Sequence, residues 1–136
     1  MTTQNPAVQK LLDEKIRDIA GVRGAVVFSE DGLVLYASGV QEDFAQRRAA
    51  VASSLGSIAD HVAFEEQAGA VKRTLIDMEE GYVIVARCGQ RSQIAVSASH
   101  TANLGTVGYE LSLLATRLAP VLDAEQRQPV PGGKAW

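Results

Sequence analysis

The sequence predicts a single α/β (α+β) domain: a five-stranded antiparallel sheet with helices on both faces, in the order α-ββ-α-βββ-α. Its 136 residues fit one hydrophobic core. Three segments repeat apolar residues at helical spacing, and five shorter segments are β-rich. The strands follow each other through short turns, which favours antiparallel pairing.

The first predicted helix has Asn5 as its N-cap and Pro6 at its first position, where a missing N–H costs nothing. Gly21 is a natural stop. A β-hairpin follows over residues 24–38, because Asp31-Gly32 lies between two β-rich runs.

The long middle helix, predicted over residues 42–64, carries two apolar stripes about 100° apart. The large-residue stripe is Phe44, Val51, Leu55, Ile58 and Val62. The small-residue stripe is Ala45, Ala49, Ala52, Gly56, Ala59 and Ala63. We expect the large-residue stripe to pack on the sheet. A glycine inside a helix costs about 1 kcal/mol relative to alanine, so the small-residue stripe indicates close contact with another helix, such as one between subunits. Alternatively, alanine fills an exposed face as a good helix former.

Three strands and a helix complete the domain. Residues 71–78 mix polar and apolar side chains, as an edge or interface strand would. Residues 82–86 are apolar on both faces and predict a central strand. The last helix runs from the N-cap Asn103 to about Asp123. The predicted domain is therefore 7–123, with an N-terminal extension (1–6) and a flexible C-terminal tail (124–136).

Bulk properties argue against several classes of function. A net charge of −3 disfavours an electrostatic nucleic-acid binder. One cysteine, Cys88, excludes an internal disulfide and suits a reducing cytosol. There is no signal-peptide pattern and no apolar run near the roughly 20 residues that span a bilayer. We expect a cytoplasmic protein whose membrane association, if any, comes through partners.

No catalytic, cofactor-binding or metal-binding set can be assembled from the sequence. There is no Gly-x-x-x-x-Gly-Lys-Ser/Thr phosphate loop. Gly105-Thr106-Val107-Gly108 could be a phosphate cradle at a helix start, although close packing on the sheet explains its glycines equally well. His61 and His100 lack partners of ligand type, and Cys88 is most simply a small buried hydrophobe. These observations favour a non-enzymatic interaction module.

Two segments resemble the roadblock/LC7 family. One is Gly21–Val27, leading into the Asp31-Gly32 hairpin, and the other is Thr101–Leu111 at the start of the last helix. The resemblance covers residues 7–123. It is closest to actinobacterial roadblock proteins encoded in conservon operons, beside a sensor-kinase-like protein and a Ras-like GTPase.

The resemblance implies a homodimer in which the third strands pair and the middle helices lie side by side. The implied interface comprises the small-residue stripe together with Val71, Arg73, Leu75 and Asp77. A bacterial gliding-motility relative holds a small GTPase on the helix side of its dimer. The corresponding residues here are Arg47, Ser54, Ser57, Asp60 and His61. The implied function is a regulator or scaffold of a Ras-like GTPase. A structural adaptor and a small-molecule sensor are the alternatives.

Overall fold

The computed structural model describes residues 4–127, which form three helices around a five-stranded antiparallel sheet. The helices are α1 (Pro6–Asp18), α2 (Glu42–Glu66) and α3 (Leu104–Arg127). The strands are β1 (Val22–Ser29), β2 (Val34–Ser38), β3 (Arg73–Met78), β4 (Gly81–Arg87) and β5 (Ser92–Ser99). The spatial order is β2-β1-β5-β4-β3, which confirms the predicted fold and element order.

Local signals position the first elements as predicted. The Asn5 side chain accepts a hydrogen bond from the Ala7 N–H at 2.9 Å and caps α1. After α1, Gly21 has φ +86°, and a Cβ there would lie 2.5 Å from the Cβ of Ala102. Only glycine fits this turn, because the space and the left-handed backbone both exclude a side chain. The Glu30-Asp31-Gly32 segment turns the β1–β2 hairpin.

The sheet is covered on both faces, and each face has its own core. Helices α1 and α3 cover one face with large side chains such as Leu12, Leu111 and Leu118. Helix α2 covers the other. Strand β4 is buried on both faces along Gly81–Ala86, as its sequence predicted. None of the helices within residues 4–127 is long and apolar enough to cross a membrane.

The orientation of α2 is opposite to the prediction. Ala45, Ala49 and Ala52 are at most 2% exposed and pack on the sheet, whereas Val51, Ile58 and Val62 of the large-residue stripe are more than half exposed and Leu55 is only partly buried against the core. The reason is complementary packing: the strands present large side chains to α2, and the helix meets them with alanine in one buried cluster. The strands supply the bulk of this core instead, through Val26, Phe28, Val83, Val85 and Ala95.

Helix α3 continues four residues beyond its predicted end, through Arg127. Polar contacts hold this last turn. The Asp123 carboxylate accepts a hydrogen bond from the Gln90 N–H at 2.8 Å, and Glu125 accepts one from the Tyr36 hydroxyl at 3.0 Å. Apolar periodicity could not reveal them because the partners are distant in sequence. The remainder of the predicted tail, 128–136, and residues 1–3 of the predicted extension lie outside the described residues.

Candidate interaction surface

Helix α2 exposes a row of large apolar side chains. Val51, Ile58 and Val62 are 64%, 61% and 53% exposed, and Leu55 between them is half-buried. At the start of the same row, Phe44 lines a cleft together with Met78 of β3. The row therefore follows the flank of α2 that is turned towards the β3 edge of the sheet. Exposed large residues in a contiguous row are typical of an interaction site.

Strand β3 continues this apolar surface. Leu75, Ile76 and Met78 are 45%, 39% and 50% exposed, although they belong to a regular strand. Ile76 lies opposite Val83, which belongs to the core under α2, so Ile76 faces the α2 side. The resemblance implied pairing along the whole strand, 71–78, but the interface residues named from it were alternate ones and did not include Ile76 and Met78. Their exposure could have been suspected from the strand's predicted edge position.

The other predicted residues of β3 share the opposite face. Arg73, Leu75 and Asp77 lie opposite Ala86, Ile84 and Tyr82 of β4, which all belong to the core under α1 and α3. All three predicted residues are exposed, and Val71, just before the strand, is half-buried. Both faces of β3 are thus available to another molecule.

The two edges of the sheet differ in how their backbone is covered. At the β2 edge, the side-chain amide of Gln4 donates to the Leu35 carbonyl at 2.6 Å, and that of Gln9 donates to the Ala37 carbonyl at 2.8 Å. No side chain among residues 4–127 bonds to the backbone of β3. An open edge of this kind is ready to pair with another strand.

The predicted partner-binding residues are all exposed on α2: Arg47, Ser54, Ser57, Asp60 and His61. They do not form one cluster. Asp60 forms an ion pair with Arg87 of β4, with 3.5 Å between the carboxylate oxygen and the guanidinium nitrogen. Both residues line a polar cleft of about 250 Å³, together with Ser57. An exposed pair of this kind contributes little stability, roughly 0–1 kcal/mol.

Arg48 belongs to the packing of α2. Its guanidinium stacks 4.8 Å from the centre of the Phe44 ring and donates to the Ser97 hydroxyl at 3.1 Å. Burial lowers the pKa of Arg48 because the charged form loses solvation. Within residues 4–127 no carboxylate lies within 4.0 Å of it. The side chain therefore anchors the start of α2 to β5 and lines the cleft beside Met78.

The Gly105-Thr106-Val107-Gly108 segment forms the first turn of α3. A Cβ on Gly108 would meet nothing within 4 Å, and one on Gly105 would meet only the Asn103 side chain at 3.3 Å. Close packing on the sheet is therefore the wrong explanation for these glycines. They border an open groove of about 610 Å³ between α3 and β3, beside Leu75 and Leu104.

Cys88 is fully buried, as predicted, and its Sγ lies 3.6 Å from the Ala115 carbonyl oxygen. Burial, and secondarily the charge of Asp123, raises the pKa of this thiol to about 12. The thiolate that a nucleophile requires is thereby strongly disfavoured. Across residues 4–127, no three His, Cys, Asp or Glu side chains are grouped as a metal site.

The cavity between the second half of α2 and the sheet is too small for an organic ligand. It amounts to about 10 Å³ beside Gly56 and Val85, which is barely enough for one water molecule. The larger clefts described above are open grooves on the surface.

Taken together, these features define an α/β domain with a well-covered sheet and one open, apolar edge beside a helix with exposed apolar side chains. The Roadblock/LC7 domain family matches residues 8–98, which is more than half of the chain. The chain therefore belongs to the Roadblock/LC7 family, as its sequence motifs suggested. Comparison with curated proteins gave no match.

Solved structures agree with this assignment. A Roadblock/LC7 domain from Streptomyces avermitilis is 25% identical, with a TM-score of 0.82 over 89% of this chain and 99% of that chain. A second Roadblock/LC7 domain from the same organism is 32% identical, with a TM-score of 0.68 over 83% of this chain and 99% of that one. MglB from Myxococcus xanthus shares the fold at 11% identity, with a TM-score of 0.81 over 90% and 99% of the two chains.

Proposed function

We propose that this protein is a homodimeric regulator or scaffold that binds a small Ras-like GTPase. The observation that carries the proposal is the set of exposed apolar side chains on the outer row of α2 and on the open edge of β3, which meet at the cleft between Phe44 and Met78. The choice of a small GTPase as the partner comes from the resemblance to the roadblock family. A fold alone does not fix a function, so each of the two contacts needs its own physical support.

Self-association explains why the surface exists. Complete burial of a side chain such as Val, Ile or Met contributes about 1.5–3 kcal/mol. Val51, Ile58 and Met78 are each half exposed or more in the single chain, so burying each of them against a partner would still contribute part of that free energy. Pairing of β3 with a second β3 would satisfy its open backbone, and it would bring the two α2 helices together over the joined sheet.

The structure changes which α2 residues belong to the proposed interface. Ala45, Ala49, Ala52 and Gly56 are buried within their own chain and cannot reach a partner. Because these residues are small, they allow α2 to pack close to the sheet. The proposed contact is instead the large-residue stripe. Ala59 and Ala63 remain in the proposal because both are half-buried, and they line clefts beside the segment that leads into β3.

The GTPase is proposed to bind the solvent-facing side of the α2 pair. Arg47, Ser54 and His61 lie there, outside both the intramolecular core and the proposed dimer contact. Arg47 is the residue best placed to approach a bound nucleotide, because it is exposed and pairs with no carboxylate within 4.0 Å among residues 4–127.

Two measurements test this proposal. Analytical ultracentrifugation should show a dimer. GTP turnover by the Ras-like GTPase expected from the conservon resemblance should then be measured with and without the protein. Arg47→Ala should weaken binding, whereas the matched control Arg17→Ala, on the opposite face of the sheet, should not. Binding with unchanged turnover would support a structural adaptor, and absence of binding would refute the proposed partner.

A further inference from the structure

We infer that two copies of β3 pair antiparallel in one register, with Leu75 on the twofold axis and Arg73 of each copy facing Asp77 of the other. This inference rests on the proposed homodimer and adds its alignment and its ion pairs. What it adds is that charge, as well as apolar contact, selects one alignment of the two strands.

Symmetry leaves few possible registers. In an antiparallel pair, residues directly opposite each other point to the same face of the sheet. A twofold axis perpendicular to the sheet also keeps each face on its own side, so the two α2 helices lie together. Since faces alternate along the strand, the register must place some residue opposite its own copy. The candidates at the middle of β3 are Thr74, Leu75 and Ile76.

The side chains separate these three candidates. With Thr74 on the axis, Arg73 would face the partner's Leu75, and with Ile76 on the axis, Leu75 would face the partner's Asp77. Neither arrangement pairs opposite charges within Arg73–Met78. With Leu75 on the axis, Leu75 lies opposite its own copy. Arg73 of each copy then lies opposite Asp77 of the other, so the dimer contains two such pairs. On the α2 side, Thr74 then faces the partner's Ile76. Opposite charges directly across a strand pair are favourable, and like charges are unfavourable.

The three side chains are available for this pairing. Arg73, Leu75 and Asp77 share one face of β3 and are all exposed. Arg73 makes one weak polar contact, from its Nη1 to the Ser112 hydroxyl at 3.2 Å. Within residues 4–127, neither Arg73 nor Asp77 has an oppositely charged group within 4.0 Å. A chain that leaves both charges unpaired at a bare edge is complementary to itself in this register.

Cysteine cross-linking tests the alignment directly. Only a residue on the axis opposes its own copy, within the Cα separation of roughly 4.4–6.8 Å that a disulfide requires. A residue one position from the axis is offset from its own copy by two residues along the strand, so the Cα atoms of that residue and its copy are about 8 Å apart. Under mild oxidation Leu75→Cys should form a covalent dimer, and Thr74→Cys and Ile76→Cys should not. The native Cys88 is fully buried and serves as the background.

Charge exchange provides a second, independent readout. Arg73→Asp and Asp77→Arg each create two like-charged pairs, and each should raise the dimer dissociation constant about tenfold. The double variant restores both pairs with reversed polarity, and its dissociation constant should lie within about threefold of the original. Because Arg73→Asp also removes a contact with Ser112, Ser112→Ala is the control and should leave the dissociation constant unchanged.

The outcomes distinguish this inference from the proposed function. A covalent dimer formed by Thr74→Cys or Ile76→Cys alone would overturn the register and leave the homodimer intact. A double charge variant as weak as the single variants would overturn the ion pairs. If the unmodified protein sediments as a monomer at every concentration up to about 100 µM, the homodimer itself fails, and this inference fails with it.

Discussion

Replacement of Ala49 by leucine tests the central finding about α2. Ala49 is completely buried against the core that contains Phe28 and Val85. Leucine adds three carbon atoms at a point where the helix lies directly on the sheet. Overfilling a well-packed core of this kind costs about 1–3 kcal/mol. With a urea m-value of about 2 kcal/mol/M, the unfolding midpoint should fall by about 0.5–1.5 M.

Ala50→Leu is the matched control. It makes the same chemical change at the next residue, which faces solvent, and surface changes usually alter stability by less than about 0.5 kcal/mol. Both variants should be unfolded in urea and followed by circular dichroism at several protein concentrations, because dimerisation adds stability that depends on concentration. The loss caused by Ala49→Leu should persist at the lowest concentration.

The opposite result would refute the assigned orientation of α2. If Ala49→Leu left the unfolding midpoint equal to that of Ala50→Leu but shifted the protein from dimer to monomer, Ala49 would lie between subunits. Val51→Ser completes the comparison. It removes an exposed side chain from the large-residue stripe, so it should weaken the dimer while leaving the stability of the single chain nearly unchanged.

Three further predictions concern other buried positions. Gly56→Ala should change stability by less than about 1 kcal/mol, because the gain in helix propensity is offset by displacement of the flexible Gln93 amide; a loss above 3 kcal/mol in urea titration would contradict this. Burial raises the pKa of the Cys88 thiol from its ordinary 9.0 to about 12 in the folded chain. The protonated thiol therefore contributes its full stabilisation below pH 9, and the free energy of unfolding falls as the pH rises from 9 towards 12. Unfolding at pH 8, 10 and 11 should show this decline, and Cys88→Ala should reduce it. Tyr36→Phe removes the hydroxyl that donates to Glu125, and it should lower the unfolding free energy by about 1 kcal/mol; an unchanged midpoint would show that this contact does not hold the end of α3.

Much of the fold could be predicted because its signals are local. The capping geometry of Asn5, the Asp31-Gly32 turn and the apolar run of β4 each depend on residues close together in the chain, and the structure contains all three. The end of α3 could not be predicted in this way. It depends on Glu125, which meets Tyr36 across 89 positions of sequence.

For the candidate surface, too, the local features could be predicted from the sequence and the long-range packing could not. Periodicity is a property of the order of residues, so the two apolar stripes of α2 and the mixed side chains of β3 could be recognised in the sequence. Which stripe faces the sheet depends instead on how the folded elements pack. That choice depends on the packing between α2 and the strands, where Val26 and Phe28 meet Ala45, Ala49 and Ala52 of the helix in one buried cluster. The large residues are consequently left outside, beside the open edge of β3.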